Sequence, residues 1–293
     1  MKPKILVILG PTSSGKSDLA VKLARKSSGE IISADSRQVY KGLDIGSGKI
    51  TKKEMRGVPH HLLDIVSPKK VFSVADYQKI AEKKIKEILS RKKLPIICGG
   101  TGFYISSIVD GLVLPKVPEN KILRKKLQKL DLVWLQNILK KLDADRFKEI
   151  DTKNPARLIR AIEIASALGK VPPIKSVPKY ECLQIGLSWP KEKLEKRIRS
   201  RLLRRIRAGL IPEVQNLHKK SVSWKRLYDF GLEYRYVSLF LQNKLSKKEM
   251  FEKLTKKICQ YAKRQMTWFK RDKRIVWIKP QNIRLAEKLV ANL

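Results

Sequence analysis

The feature that most narrows the possible folds is one short run near the N-terminus. Gly10-Pro11-Thr12-Ser13-Ser14-Gly15-Lys16-Ser17 fits the spacing G-x-x-x-x-G-K-[ST]. A β-branched apolar stretch, Lys4–Leu9, precedes it. A helical pattern follows over Lys16–Lys26, with Leu19, Ala20 and Leu23 on one side. Strand, glycine turn and helix in that order give the spacing a physical meaning. The turn directs backbone N–H groups at an anion, and the helix N-terminus adds positive partial charge. Lys16 adds a full charge, and the Ser17 hydroxyl can hold Mg²⁺ against phosphates. A phosphate-binding loop is therefore expected over residues 10–17, against the plainer alternative of a glycine-rich turn.

The pattern continues as an α/β chain. Glu30–Ser33 and Leu94–Cys98 read as short buried strands, and Ala75–Leu89 as a helix with Ile80, Ile85, Ile88 and Leu89 on its apolar side. Strands alternating with helices predict a parallel sheet covered by helices. At Leu114-Pro115-Lys116-Val117-Pro118 the pattern changes to helix alone. Asn154-Pro155 opens one of these helices and Gly169 closes it. After Val171-Pro172-Pro173, Leu183–Leu187 is strand-like again; from Lys191 the chain is helical apart from Ile275–Ile278. The organisation expected is an α/β core over 1–115, an inserted all-helical domain over 116–175, and a core strand with basic helices over 176–293.

Charge is the strongest compositional signal. Sixty-six Lys and Arg against 27 Asp and Glu give +39, where solubility asks for a magnitude of only ~2–8. Residues 181–293 alone hold 29 basic and 10 acidic side chains. A polyanionic partner is the direct reading; a general basic bias of the source is the alternative. No apolar run approaches the ~18 residues of a membrane span. Cys98, Cys182 and Cys259 stand far apart, as expected of free thiols in a reducing cytoplasm.

Two strand ends carry further chemistry. Leu94–Cys98 ends in Gly99-Gly100-Thr101 with no carboxylate, whereas a nucleoside triphosphate hydrolase needs an aspartate there for Mg²⁺. Asp35 follows the second strand, and Ser36, Arg37 and Gln38 follow it. On local features Asp35 is a general base, a metal ligand or a helix cap. Gln265 lies within an apolar helical stripe and serves either the site or packing. His60-His61 lacks further ligands for a metal and reads as a loop or core element.

Taken together, GPTSSGKS (10–17), ADSRQVY (34–40), VPHHLLD (58–64), GGTGFY (99–104), NPARLIRAIEI (154–164), RIRSRLLRRIRAGLIPEV (197–214), FGLEYR (230–235) and YAKRQMTWFKR (261–271) resemble the tRNA isopentenyltransferase (tRNA dimethylallyltransferase) family, in family order over nearly the whole chain. The resemblance implies a P-loop NTPase-like core with a helical insertion that closes on the tRNA anticodon stem-loop. It implies transfer of a dimethylallyl group from dimethylallyl diphosphate to the N6 amine of the adenosine just 3′ of the anticodon, with Mg²⁺. By the same resemblance Asp35 is the base, and Thr101 contacts the bridging oxygen of the leaving diphosphate. Arg201 holds that diphosphate, Ser36-Arg37-Gln38 meet the flipped adenosine, and Arg157 and Arg160 contact tRNA. Phe230–Arg235 departs from the Ile-Gly-Tyr common in bacterial members. No zinc-finger pattern follows the core within these residues, so the resemblance is to the bacterial type; a cytoplasmic monomer, off the membrane, is expected. The competing readings are a P-loop small-molecule kinase, which has no use for this charge or for ADSRQ, and a non-catalytic RNA-binding module, which has no use for Lys16 and Ser17.

Overall fold

The computed structural model describes residues 2–293. They form two compact units: Leu112–Val177, and the flanking residues up to Gly111 and from Pro178 onward. The larger unit begins with β1 (Lys4–Leu9), α1 (Lys16–Lys26), β2 (Glu30–Ala34), α2 (Lys52–Met55), β3 (His60–His61), α3 (Val74–Ser90), β4 (Pro95–Gly99) and α4 (Gly102–Val109). The smaller unit holds β5 (Leu112–Val113), α5 (Lys121–Leu127), α6 (Leu132–Leu142), α7 (Ala144–Glu149), α8 (Pro155–Leu168) and β6 (Lys175–Ser176). The larger unit resumes with β7 (Glu181–Leu187), α9 (Lys191–Arg207), α10 (Leu210–Lys219), α11 (Trp224–Phe230), α12 (Leu232–Leu241), α13 (Lys247–Phe269), β8 (Ile275–Ile278) and α14 (Ile283–Ala291).

The sheet order is β3-β2-β4-β1-β7-β8, and every pairing in it is parallel. Period-two alternation along β1 feeds two cores. Ile5, Val7 and Leu9 pack with α3 and α4. Leu6 and Ile8 pack with α1 and α14 on the other face. A sheet buried on both faces reads as a continuous apolar run, which is why Lys4–Leu9 stood out. A third core is helical: Leu194, Ile198 and Leu202 of α9 meet α10 to α13 and Val39, Tyr40 and Leu43. No helix among the described residues is long and apolar enough to cross a membrane.

The segment expected as all-helical over 116–175 lies within a unit that is not wholly helical. β5 and β6 pair antiparallel, Leu112 with Ser176 and Val113 with Lys175. Pro115, Pro118, Pro172 and Pro173 bias the residues before them away from helix, so these ends stay extended. The unit has its own core, built from Leu127, Leu135, Leu139, Leu158 and Ile162. Asn154 caps α8 through the Arg157 N–H and Pro155 opens it.

Candidate active site

Parallel strands place their C-terminal ends on one edge, so residues distant in sequence become neighbours there. The register sets Leu9 beside Gly99 and Ala34 beside Gly99. The phosphate loop, Asp35 and the Gly99-Gly100-Thr101 turn thus converge. Gly99 leaves no room for a side chain: a Cβ would stand 2.1 Å from the Ala34 carbonyl oxygen. A cavity of about 950 Å³ opens over this edge, floored by Thr12–Ser17, Asp35–Gln38, Cys98 and Gly99 and walled by side chains of α9, α12 and α13.

The loop is held from several sides. Gly15 enters α1 at φ 90°, a left-handed value that suits glycine. Lys16 Nζ donates to the Pro11 carbonyl at 3.3 Å. Arg197 Nε donates to the Ser13 carbonyl at 2.8 Å and Trp189 Nε1 to the Ser14 carbonyl at 2.9 Å. The Arg197 guanidinium lies over the Trp189 ring at 4.6 Å. Gln265 ties the loop to the end of β4: its Oε1 accepts the Thr12 N–H at 2.9 Å, and its Nε2 donates to the Gly100 carbonyl at 2.8 Å. Its amide is buried and paired at both ends, so it belongs to the site and not merely to the helix packing.

Asp35 keeps one oxygen for the backbone. Oδ1 accepts from Arg37 N at 2.8 Å and Gln38 N at 3.4 Å, an Asx turn and not a helix cap, since residues 36–39 form a turn; Oδ2 has no hydrogen bond among the described residues. Thr101 precedes α4 without capping it. Its Oγ1 accepts the Ser36 N–H at 3.0 Å, which leaves its own proton to donate. Thr101, Gly10 and Pro11 are not on the cavity lining; Thr101 is half-buried and meets the lining through Ser36. Arg37 Nε donates to the Phe230 carbonyl at 2.7 Å.

Seven arginines line the cavity: Arg37, Arg197, Arg201, Arg204, Arg205, Arg235 and Arg264. Among the described residues only Arg205 has a carboxylate within reach, Glu233 at 2.7 Å. Arg201 reaches only Thr12 Oγ1 and the Gly48 carbonyl, both at 3.5 Å. Burial, reinforced by the Arg205 charge, brings the Arg201 guanidinium down to about 10. Burial also lowers the Lys16 ammonium, with Arg201 and Arg205 pushing the same way. Unmatched cations converging on a glycine loop at the N-terminus of α1 form a site for a multiply charged anion. Sequence reasoning singled out only Arg37 and Arg201 among these seven. The i, i+4 spacing of Arg197, Arg201 and Arg205 on one helix face was the signal for two more.

The other residues singled out fall elsewhere. Arg157 is exposed and pairs with Asp151 at 3.2 Å. Arg160 donates to the Val117 carbonyl at 2.8 Å and pairs with Glu163. Both lie in the Leu112–Val177 unit. His61 Nε2 lies 2.7 Å from the Glu30 carboxylate, and His60 Nδ1 lies 2.8 Å from the Val58 carbonyl. All three cysteines are free.

The family model described as IPP transferase matches residues 38–272. A curated relative from Syntrophus aciditrophicus, named tRNA dimethylallyltransferase 1, is 46% identical, over 100% of this chain and 99% of its own length. The chain belongs to the IPP transferase family. A further relative, tRNA dimethylallyltransferase 2 of Treponema denticola, is 46% identical over 92% of each chain. Among solved structures, a tRNA isopentenylpyrophosphate transferase from Bacillus halodurans superposes with a TM-score of 0.76 at 33% identity, covering 99% of this chain and 96% of its own. A eukaryotic dimethylallyltransferase described as acting on tRNA gives 0.82 at 27% identity, covering 94% and 74%. The family's P-loop NTPase-like core is the sheet described above, and the kinase reading is not favoured.

Proposed function

We propose that this chain transfers a dimethylallyl group from dimethylallyl diphosphate to the N6 amine of the adenosine 3′-adjacent to the tRNA anticodon, releasing diphosphate. The observation that carries the reading is the cluster of unmatched cations around the phosphate loop, beside a carboxylate with one free oxygen. The names of the relatives support prenyl transfer to tRNA.

Each residue has a definite task in this reaction. The N–H groups of the loop that are not spent on Gln265 or the Pro11 carbonyl, those of Ser13 and Gly15–Ser17, hold the diphosphate with the Lys16 ammonium and the Arg201 guanidinium. Negative charge grows on the bridging oxygen as the carbon–oxygen bond breaks, and these cations count most at that moment. The Thr101 hydroxyl, whose lone pair is already used by Ser36 N–H, donates to that oxygen. An adenine amine is a weak nucleophile; Asp35 Oδ2 accepts its hydrogen bond and then its proton. The base must leave its stack to reach the donor carbon, and Ser36, Arg37 and Gln38 receive it. Arg157 is an exposed contact for the RNA backbone, and Arg160 a second on the same helix.

Magnesium fits this site as an ion held mainly by the donor's phosphates. Ser17 Oγ, at the first turn of α1 on the cavity lining, would supply one ligand. That suits Mg²⁺, which retains waters and takes few protein oxygens beside phosphates. When bound it offsets charge on the departing diphosphate.

Incubating the protein with tRNA, labelled dimethylallyl diphosphate and Mg²⁺, and separately with ATP and nucleosides, tests the reading. Label in tRNA only is the expected result. Phosphoryl transfer to a nucleoside would overturn it.

A further inference from the structure

One wall of the cavity is a five-residue loop, Asp44–Gly48, whose backbone is held by side chains far away in sequence. Glu213 of α10 accepts three of its N–H groups: Asp44 at 3.0 Å, Ile45 at 2.6 Å and Gly46 at 3.0 Å. Tyr234 Oη takes the fourth, from Ser47, at 3.1 Å, and itself donates to Glu213 at 3.0 Å. Arg205 donates to the Gly46 carbonyl at 3.2 Å. The turn closes on itself through Gly48 N to the Ile45 carbonyl at 3.1 Å. Gly48 sits at φ 61°, and a Cβ there would meet the Arg205 guanidinium at 1.6 Å. This is far more anchoring than a surface turn needs.

What the anchored loop delivers is one carbonyl. Gln38 Nε2 donates to the Gly48 carbonyl at 3.2 Å. A carbonyl only accepts, so the amide nitrogen has to be on that side. Ser33 Oγ, buried at the end of β2, then donates to Gln38 Oε1 at 3.0 Å. The Gly48 carbonyl does not tolerate the flipped amide, and the Ser33 hydroxyl, which can donate or accept, pins the other end in the orientation the carbonyl sets. On its cavity side Gln38 therefore presents one N–H and one oxygen lone pair in fixed order. Glutamine in that arrangement is complementary to the adjacent donor and acceptor, N6–H and N7, of adenine. Guanine presents acceptors at both O6 and N7, and its O6 would oppose the amide oxygen.

The geometry points to loop 44–48 and Ser33 as a purine-selecting lock: they hold the Gln38 amide in one orientation, so that the site takes adenine and rejects guanine. Glu213 is the positioning residue on which the loop depends. This inference rests on the proposed acceptor, and it assigns to residues outside the reacting centre the choice of base.

The test is binding of two stem-loop RNAs, identical except for adenosine or guanosine at the target position, without donor. The wild-type protein should prefer adenosine by about tenfold or more, the worth of one bidentate contact. Glu213→Gln keeps the size but turns an amide N–H₂ either against the Asp44 and Ile45 N–H groups or against the Gly46 N–H and the Tyr234 hydroxyl. Ser33→Ala frees the amide oxygen and leaves the loop anchored. In both variants the adenosine preference should fall to about twofold or less, while binding of inorganic pyrophosphate stays within about twofold of wild type. If Glu213→Gln loses pyrophosphate binding as well, Ser33→Ala decides alone. An undiminished preference in Ser33→Ala would overturn the lock. Failure of the wild-type protein to bind either RNA would instead remove the acceptor reading on which the lock stands.

Discussion

The arginines of this chain lead two different lives. In the Leu112–Val177 unit all four, Arg124, Arg146, Arg157 and Arg160, have a carboxylate within 4 Å. Around the phosphate loop six of seven have none among the described residues. In the helical unit the pairs build structure: Glu163, buried among Arg124, Arg160 and the Asn120 N–H, binds α5 to α8. Burial alone would raise the Glu163 carboxyl, but those partners overrule it and hold it low. At the cavity the cations are kept close, partly desolvated and unmatched, which costs stability unless an anion arrives. Net charge is therefore a poor guide to the site; the pairing of the charge is what marks it.

The largest expected effect comes from Asp35, the carboxylate proposed as the base. Asp35→Ala should cut single-turnover transfer by ~10²–10⁴, the usual worth of a general base, with tRNA affinity retained. Thr101→Ala should lower the chemical step by ~10²–10³ with little change in donor affinity, as for other donors that act only in the transition state. Equal losses in rate and donor binding would show that Thr101 holds the ground state instead.

On the structural side of the comparison, Glu163→Ala takes Arg160's only carboxylate among the described residues, leaves Arg124 with Glu119 alone and strips the Asn120 N–H of its acceptor, and should cost the helical unit about 1–3 kcal/mol. Thermal unfolding would show it, and pyrophosphate binding should survive. Glu30 is the mirror case, at the opposite end of β2 from Asp35. Burial would raise its carboxyl, but hydrogen bonds from His61, Lys93 and Arg91 hold it at about 2. A depressed carboxylate contributes stability that is present above its unfolded value, 4.5, and lost as pH falls toward 2. Acid titration of Glu30→Gln should lack that component, and an unaltered acid profile would refute the assignment. The smallest effect belongs to the exposed pair: Arg157→Ala should change stability by less than about 1 kcal/mol. It should also reduce the salt slope of tRNA binding by roughly one, the share of one phosphate contact.

Local signals were legible in the sequence where one segment carries its own information. β1 and α1 were readable to the residue, because an apolar run, a glycine turn and an amphipathic helix follow one another. So was α8, with Asn154, Pro155 and Gly169 marking its ends. β3 was missed, since two histidines at a sheet edge show no alternation. The wall at Asp44–Gly48 was missed for another reason: its partner Glu213 lies up to 169 residues away, and nothing in either segment announces the other. Gln265 stood between packing and site until its two hydrogen bonds, to Thr12 and Gly100, assigned it.

The central claim is that the unmatched cations and the phosphate loop serve the diphosphate of a prenyl donor and not a nucleoside triphosphate. The most direct measurement is steady-state prenyl transfer to tRNA in nucleotide-free buffer with Mg²⁺, with inorganic pyrophosphate varied against dimethylallyl diphosphate. The account expects full turnover without ATP and inhibition that is competitive with the donor. Strict dependence on ATP, or pyrophosphate inhibition that saturating donor fails to relieve, would contradict it.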